Sequence, residues 1–350
     1  MKQIVLSLLT LLLSVGVAGA AVKEAQVKID FPVGTVKSLT LVNKNGRIEI
    51  DRVVGKRDIV INVSVVCNGK TEADAQKMLD GISIDKAVNG TAAAVNTITP
   101  NGKSFKELFT GADWLVNYRV TVPWGVELNI VNENGAITVP NYGDRLSIQS
   151  VNCNVYVGDV TSETPCLLDI KRGNCVLKGA ELLNANLEGC KYEFDRVVSG
   201  TIKAKNCTGT IESATIANLT LTGGSLAINR AEDISGAATD CDLSIADLGD
   251  CLTLDMLRRS LVVSKIHFSF DKIMVNAIWA DVDFTFMEDS GYNLTLQHDK
   301  RLKVDLPSDL KLGRMSSAKK KAMIGTGYYG NPARQSDVRV RMTAGSLKIR

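Results

Sequence analysis

The chain has 350 residues, of which 23% are charged, and its formal net charge is +3. A charge this close to balance, with no basic stripe that carries interleaved aromatic residues, argues against nucleic acid as a partner. The 29 glycines and only 7 prolines accompany very few helical patterns. The composition therefore favours an all-β protein, and an extended β architecture can carry this length as one unit.

Residues 1–20 have the organisation of a secretory signal peptide. Lys2 supplies a positive start, residues 4–13 form an apolar run, and residues 18–20 give an A-x-A cleavage signature. The apolar run is short for a transmembrane helix, and no later run is long enough to span a bilayer. We therefore expect an exported, soluble mature chain that begins near Ala21 and has no integral membrane segment. The alternative is an uncleaved N-terminal anchor.

Residues 21–123 predict a β-rich N-terminal region. Short runs within residues 22–66 alternate apolar and polar side chains with period two, which is the pattern of half-buried strands. Residues 82–95 predict a hairpin around Asn89-Gly90, because this pair tolerates the positive φ of a tight turn.

One short helix is predicted within this region, at residues 71–81. Thr71 can cap its first turn, acidic residues follow at the positive end, and Gly81 can end it. The residues that would share its apolar face are Ala75, Met78, Leu79 and Ile82.

A degenerate repeat follows, in which an anchor residue stands two places before an inward apolar pair such as Ile137/Val139. The anchors are Gly135, Cys153, Asn174, Cys190, Gly209, Gly224, Cys241, Arg259 and Ala280. Their mean spacing is about 18 residues, and a second apolar strand lies between successive anchors. Units of strand, corner, strand and bend predict a single-stranded β-helix, or β-solenoid, over residues 124–286.

The alternative fold is a β-sandwich of hairpins, in which Asn45-Gly46 and Asn134-Gly135 are type I′ turns. The equivalent later position is Arg258-Arg259, and two consecutive arginines fit such a turn poorly. We therefore favour the β-helix. The glycines predicted to be its structural corners, with no ligand required, are Gly46, Gly135, Gly224 and Gly345.

Residues 287–350 predict a C-terminal capping segment of two strands, a polar loop and a final strand. The final strand repeats the Gly-x-apolar motif at residues 343–349 and would cover the open edge of the solenoid. The lysine run at residues 319–321 predicts a solvated loop rather than a polyanion site.

The eight cysteines would ordinarily suggest disulfides in an exported chain. However, Cys153, Cys190 and Cys241 each stand two residues before an apolar strand residue, which predicts a buried column where cysteine acts as a small hydrophobe. One or more disulfides is the alternative. The chain has no C-x-x-C pair and only His267 and His298 as imidazole ligands, so we expect no metal site.

Residues 117–143, NYRVTVPWGVELNIVNENGAITVPNYG, carry a family resemblance. A strand ending in V-P-x-x-V-x-L leads into N-x-x-G-x-I-x-V, and degenerate units and a closing AGSLKI follow. In these motifs the mature chain resembles the bacterial "putative adhesin" family, exported proteins of unknown function with a single-stranded β-helix. The resemblance implies a location in the periplasm or on the outer cell surface and a role in adhesion. It implies no catalytic residue or cofactor.

We therefore expect a non-catalytic binding or scaffold module of the cell envelope, with a surface glycan or an envelope protein as partner. The alternative is a carbohydrate-active enzyme that uses Asp281 and Asp283 on one solenoid face, with Asp255 or Asp271 nearby. An accessory protein of envelope stress is a third hypothesis. The sequence has no G-x-S-x-G, H-E-x-x-H or phosphate-binding loop, so we expect no catalytic residue.

Overall fold

The computed structural model describes residues 21–55, 57–99, 113–299, 302–313, 316–318 and 322–350. Within these ranges the chain is all-β apart from one helix, and its strands form a long open sheet. The predicted class and single helix are therefore confirmed. The predicted signal peptide and the lysine run at 319–321 lie outside the described residues. None of the described helical structure is long and apolar enough to cross a membrane.

The elements follow one another as a series of strands interrupted by α1. They are β1 (Ala21–Phe31), β2 (Ser38–Val53), β3 (Ile59–Gly69), α1 (Glu72–Asp80), β4 (Ser83–Asn89), β5 (Ala92–Ile98), β6 (Asp113–Pro123), β7 (Glu127–Val139), β8 (Leu146–Val160), β9 (Cys166–Ile266), β10 (Lys272–Phe286), β11 (Gly291–Asp299), β12 (Lys303–Asp305), β13 (Lys311–Leu312), β14 (Ser316–Ala318), β15 (Ala322–Gly330) and β16 (Ser336–Ile349). The chain divides into two compact units, the first comprising residues up to 164 with 169–173, and the second comprising 165–168 with 174–350.

In the first unit the strand order is β1-β3-β6-β2-β7-β8. Strand β3 is antiparallel to β1 and β6, whereas β2 runs parallel to β5, β6 and β7, and β7 runs parallel to β8. The β2–β7 register places Gly46 opposite Gly135. The two N-x-N-G copies therefore stack on each other in parallel strands. Neither is a hairpin turn, so the sandwich alternative is wrong at both sites.

Each part of the N-x-N-G motif has a structural role in this stack. The first asparagine is buried and donates from Nδ2 to a neighbouring carbonyl, Asn43 to Val116 at 2.8 Å and Asn132 to Gly46 at 3.0 Å. The second asparagine adopts left-handed φ, as at Asn134, where φ is 57°. A Cβ on Gly46 would overlap the Val116 carbonyl oxygen, so close backbone packing requires glycine there.

Helix α1 begins and ends at the predicted residues. The Thr71 hydroxyl accepts a hydrogen bond from the Asp74 N–H at 3.1 Å, and Gly81 is the C-cap. Its buried residues are Ala75, Met78 and Leu79, and it packs on β1 and β3. The predicted hairpin is also present, since β4 and β5 pair antiparallel and Gly90 has φ 59°.

In the second unit β10 runs parallel to the end of β9, with Lys272 opposite Cys251. Strand β16 lies between β10 and β11, parallel to both, and β15 is antiparallel to β11. The final strand therefore does cover β10. Its other side is paired in turn with β11 and β12.

The core consists of the inward apolar pairs that define the repeat, each at most 2% exposed. In the strands after the corners these are Ile137, Val139, Val155, Val157, Leu226, Ile228, Leu243, Ile245, Leu261 and Val263. Burial of a side chain of this size is worth about 1.5–3 kcal/mol. The apolar–polar alternation predicted from sequence thus separates the buried side chains of each strand from its solvent-facing ones.

A left-handed residue recurs at every corner, with φ between 53° and 71°. These residues are Asn45, Asn134, Asn152, Arg172, Gly189, Asn206, Gly223, Asp240, Arg258, Trp279 and Ala344. From Asn134 to Trp279 they recur at intervals of about 18 residues, which is the predicted repeat length. In the first unit, Asn134 donates to Asn45 Oδ1 at 3.1 Å and Asn152 donates to Asn134 Oδ1 at 2.9 Å, so three corners share an amide ladder.

This series corrects two predicted anchors. The residue after the left-handed position is Gly173 rather than Asn174, and Cys207 rather than Gly209. Gly209 instead leaves room for the Tyr192 ring, which a Cβ there would overlap. Arg258-Arg259 is not a hairpin turn, since Arg259 pairs with Ala280 in parallel strands, but both arginines do adopt positive φ, 64° and 72°.

Candidate functional site

A shallow, open groove of about 400 Å³ crosses outward residues of β9 in the second unit. Its lining residues are Glu193, Phe194, Asp195, Thr210, Ile211, Glu212, Ala227, Ile228, Asn229, Ser244, Ala246 and Ser264. The large apolar members are inward residues of the core, and the residues between them face solvent because strand side chains alternate. Side chains one repeat apart in the chain, such as Glu212 and Asn229, therefore line one surface.

The lining residues of the groove are of two kinds. Four are small, Ala227, Ser244, Ala246 and Ser264. Three are acidic, but their carboxylates are paired: Lys191 with Glu193 at 2.8 Å, Lys178 with Asp195 at 2.9 Å, and the Asn229 amide with Glu212 at 2.7 Å. The groove therefore offers hydroxyl, amide and carboxylate oxygens without a large uncompensated charge.

The predicted carboxylates Asp281 and Asp283 lie in β10, at alternate positions of one strand. Asp281 accepts a hydrogen bond from the Ser346 hydroxyl at 2.6 Å, and Asp283 pairs with Arg350 at 2.6 Å. Their register neighbours in β9 and β16 are not acidic: Ser260, Val262, Ser346 and Lys348. Asp255 is held by the Asn276 amide at 2.8 Å, before the corner. No carboxylate therefore lies opposite the pair in either adjacent strand.

A separate cluster places Asp233, Asp250 and Cys251 within 4.8 Å of one another through one potential ligand atom each. All three side chains are half-buried, and Asp233 Oδ1 is buried without a hydrogen-bond partner. Burial, with the carboxylates of Asp250, Asp233 and Asp271, raises the pKa of the Cys251 thiol to about 11. A cation could bind here through carboxylate oxygens, but thiolate ligation would require loss of this proton.

An exposed aromatic side chain is fixed in the first unit. Trp124 is 56% exposed, and its ring stacks on the Arg52 guanidinium with 4.3 Å between Cζ and the ring centroid. The Tyr142 ring lies 4.2 Å from the same guanidinium carbon, and Asp144 pairs with Arg52 at 3.1 Å. Arg52 is thus held by two rings and one carboxylate and is only 8% exposed.

No protein-family model matches this chain, and no curated protein matches it significantly. Among solved structures, it is similar to a "putative cell adhesion protein" of Clostridium sporogenes, at 9% identity over 93% of this chain and 99% of that chain, with a TM-score of 0.21. A "putative adhesin" of Bacteroides fragilis shows 12% identity over 93% and 97%, with a TM-score of 0.27. A "putative lipid binding protein" of Parabacteroides distasonis shows 13% identity over 76% and 94%, with a TM-score of 0.28.

Bacterial proteins named as adhesins or cell adhesion proteins are therefore among those to which the chain is similar, over most of its length and at low identity. TM-scores and identities this low carry no argument about function.

All eight cysteines are thiols, and all are buried except the half-buried Cys251. Three of the buried ones are the predicted column residues Cys153, Cys190 and Cys241, which follow left-handed corner residues. Cys207 occupies the same position, which the predicted anchor Gly209 does not indicate. Its spacing of one repeat from Cys190 is the sequence signal that does indicate it.

The two histidines do not form a catalytic group with the predicted carboxylates. His267 Nδ1 lies 2.8 Å from the Ser269 hydroxyl, and His298 Nδ1 lies 2.7 Å from the Asp299 carbonyl oxygen. Both contacts are local, because each joins residues that are adjacent or nearly adjacent in the chain. His267 follows the last residue of β9, and His298 lies within β11.

Proposed function

We propose that this protein is a non-catalytic, exported β-helix of the bacterial envelope that binds a neutral glycan along the groove in β9. The β-helix is supported by the parallel register of β7 with β8 and of β9 with β10, each of which pairs segments one repeat apart. It is also supported by side-chain pairs one repeat apart within β9, such as Asn229 with Glu212 and Lys265 with Asp247.

The groove is the observation that carries the proposed ligand class. The small residues Ala227, Ser244, Ala246 and Ser264 let an extended, ring-containing chain lie close to the strands, and the groove lining supplies hydroxyl and amide groups. Lysines already pair Glu193 and Asp195, so a neutral polyhydroxyl ligand fits better than a polyanion. An open strand face with paired charges can bind such a ligand without any catalytic residue.

The enzyme alternative is less favoured because its carboxylates are already engaged. Asp283 pairs with Arg350 and Asp281 accepts from Ser346, whereas glycoside hydrolysis needs two carboxyl groups on opposite sides of a sugar. Asp281 and Asp283 lie on one strand instead. An active enzyme would have to use another pair.

Export to the periplasm or outer surface and removal of residues 1–20 complete the proposal. The full-length chain expressed in a bacterial host should yield mature protein outside the cytoplasm, beginning near Ala21. Intact mass of the secreted fraction measures this directly. Retention of residues 1–20 on membrane-bound protein would support the uncleaved anchor instead.

The glycan proposal is tested with the mature chain on an array of neutral and anionic bacterial glycans, followed by calorimetry on each binder. The double variant Ala227→Gln/Ser244→Gln places two larger side chains in the groove without changing its charge. We expect it to weaken binding at least tenfold.

The matched control is Thr220→Gln/Thr253→Gln, which adds the same side chains at exposed positions of β9 before the corners. It should bind like the wild type. Absence of any neutral-glycan binder, or equal affinity of the groove variant and the wild type, would overturn the proposal.

A further inference from the structure

Four cysteines directly follow left-handed corner residues: Cys153, Cys190, Cys207 and Cys241. Cys153 has Gly135 and Gly173 as its equivalents in the neighbouring repeats, and Cys241 has Gly224 and Arg259. Cys190 and Cys207 occupy consecutive repeats. Among these corner cysteines, they alone have a cysteine at the equivalent corner of a neighbouring repeat.

The two side chains are in contact. The Cys190 backbone N–H donates to the Cys207 sulfur at 3.4 Å, and the two thiols are hydrogen-bonded to each other. The sulfur of Cys190 lies 3.1 Å from the Glu188 carbonyl oxygen, and that of Cys207 lies 3.3 Å from the Lys205 carbonyl oxygen, so the single proton of each thiol has a carbonyl and the other sulfur as alternative acceptors. The side chains therefore share one orientation. Neighbouring strands lie about 4.8 Å apart, within the range of roughly 4.4–6.8 Å in Cα separation that a disulfide spans.

The chemistry of this pair differs from that of the other corner cysteines. Hydrogen bonds from Cys190 lower the pKa of the Cys207 thiol, so its nucleophilic thiolate forms more readily. Burial instead raises the pKa of Cys241 to about 11 and also raises that of Cys153. Cys207 is thus the corner cysteine best suited to attack a disulfide.

We propose that Cys190 and Cys207 form a disulfide cross-link between two consecutive repeats, in exchange with a thiol–disulfide oxidoreductase in its disulfide form. The Cys207 thiolate attacks one sulfur of the oxidant disulfide, forming a mixed disulfide and releasing the other oxidant sulfur as a thiolate. Deprotonated Cys190 then attacks the Cys207 sulfur and expels the second oxidant thiolate. The protein loses two electrons and two protons, and the oxidant becomes a dithiol.

Burial determines when this reaction can occur. Both cysteines are 3% exposed, so an oxidant reaches them before the repeats close or during transient opening. The link closes the loop of chain from Cys190 to Cys207, which is one repeat long. By loop-closure entropy, it should raise the melting temperature of the second unit by roughly 5 °C or more.

The test folds the mature full-length chain in a glutathione redox buffer, then alkylates it in denaturant and digests it with trypsin. Lys191 and Lys205 lie between the two cysteines, so they fall in separate peptides. We expect a linked peptide pair and a fall from eight alkylated thiols to six.

The variants Cys190→Ser and Cys207→Ser should each keep all their remaining thiols and lose the gain in melting temperature. Cys241→Ser, at the same corner but without a cysteine neighbour, should keep the link. The proposal is overturned by eight reactive thiols after oxidation, or by a cystine that joins any other pair. Peptide mapping of the wild type decides this even if a variant fails to fold, and glycan binding plays no part in it.

Discussion

The corner glycine Gly46 allows a direct test of why the strands pack so closely. In Gly46→Ala, the new Cβ would overlap the Val116 carbonyl oxygen. That oxygen also accepts the buried Asn43 amide at 2.8 Å. Overpacking costs about 1–3 kcal/mol and a weakened buried hydrogen bond about 1 kcal/mol, so we expect a loss of about 3 kcal/mol.

Gly90→Ala is the matched comparison in the same unit. Gly90 has a positive φ of 59°, but nothing lies within 4 Å of a Cβ added there. We expect a loss of about 1 kcal/mol from the left-handed backbone alone. Urea unfolding followed by tryptophan fluorescence, to which Trp114 and Trp124 of the first unit contribute, measures both variants. If Gly46→Ala loses no more stability than Gly90→Ala, the close-packing explanation is refuted.

Two further predictions concern charge and pH. Asp144→Ala leaves the buried Arg52 without its carboxylate partner and should lower the free energy of unfolding in urea by about 3 kcal/mol. Asp51→Ala breaks an exposed pair with Arg119 and should lower it by under about 1 kcal/mol. Equal losses would contradict this reasoning. Burial raises the pKa of Cys67 from 9.0 to about 11, so the folded protein keeps a proton that the unfolded chain releases, and stability falls as pH rises from 9 to 11. Thermal denaturation of the wild type and Cys67→Ala at both pH values should show a smaller fall in the variant; parallel falls would assign the effect to other groups.

Local chemistry predicted the elements whose partners are near in sequence. Helix α1 follows from Thr71 and Gly81 at its ends, and the β4–β5 hairpin follows from Asn89-Gly90. Period-two alternation also predicted which side chains are buried, because inward and outward positions are fixed by the strand itself. These features depend on few residues and on interactions between residues that are close in sequence.

Features that depend on the stacking of distant segments could not be predicted as well. Gly209 has the sequence pattern of a corner residue. Instead, its lack of a side chain makes room for the ring of Tyr192, which lies one repeat earlier in the chain. With the anchor at Gly209, the sequence pattern does not predict that Cys207 lies next to Cys190. The groove likewise joins residues such as Glu193 and Ser264, which no local motif connects. The left-handed arginines show that a favourable stack can hold a residue in a backbone conformation that its own propensity disfavours.

The position of β16 determines the order in which the second unit can be completed. Strand β11 (Gly291–Asp299) precedes β16 in the chain, with β12 to β15 between them, yet it reaches β10 only through β16. Until residues 336–349 are synthesised and docked, β10 has an unpaired edge, and the β11–β15 pair has no strand through which to join the sheet. Assembly of this end is therefore a late, non-local event. A truncation before Ser336 would release every strand from β11 to β15, rather than remove one strand.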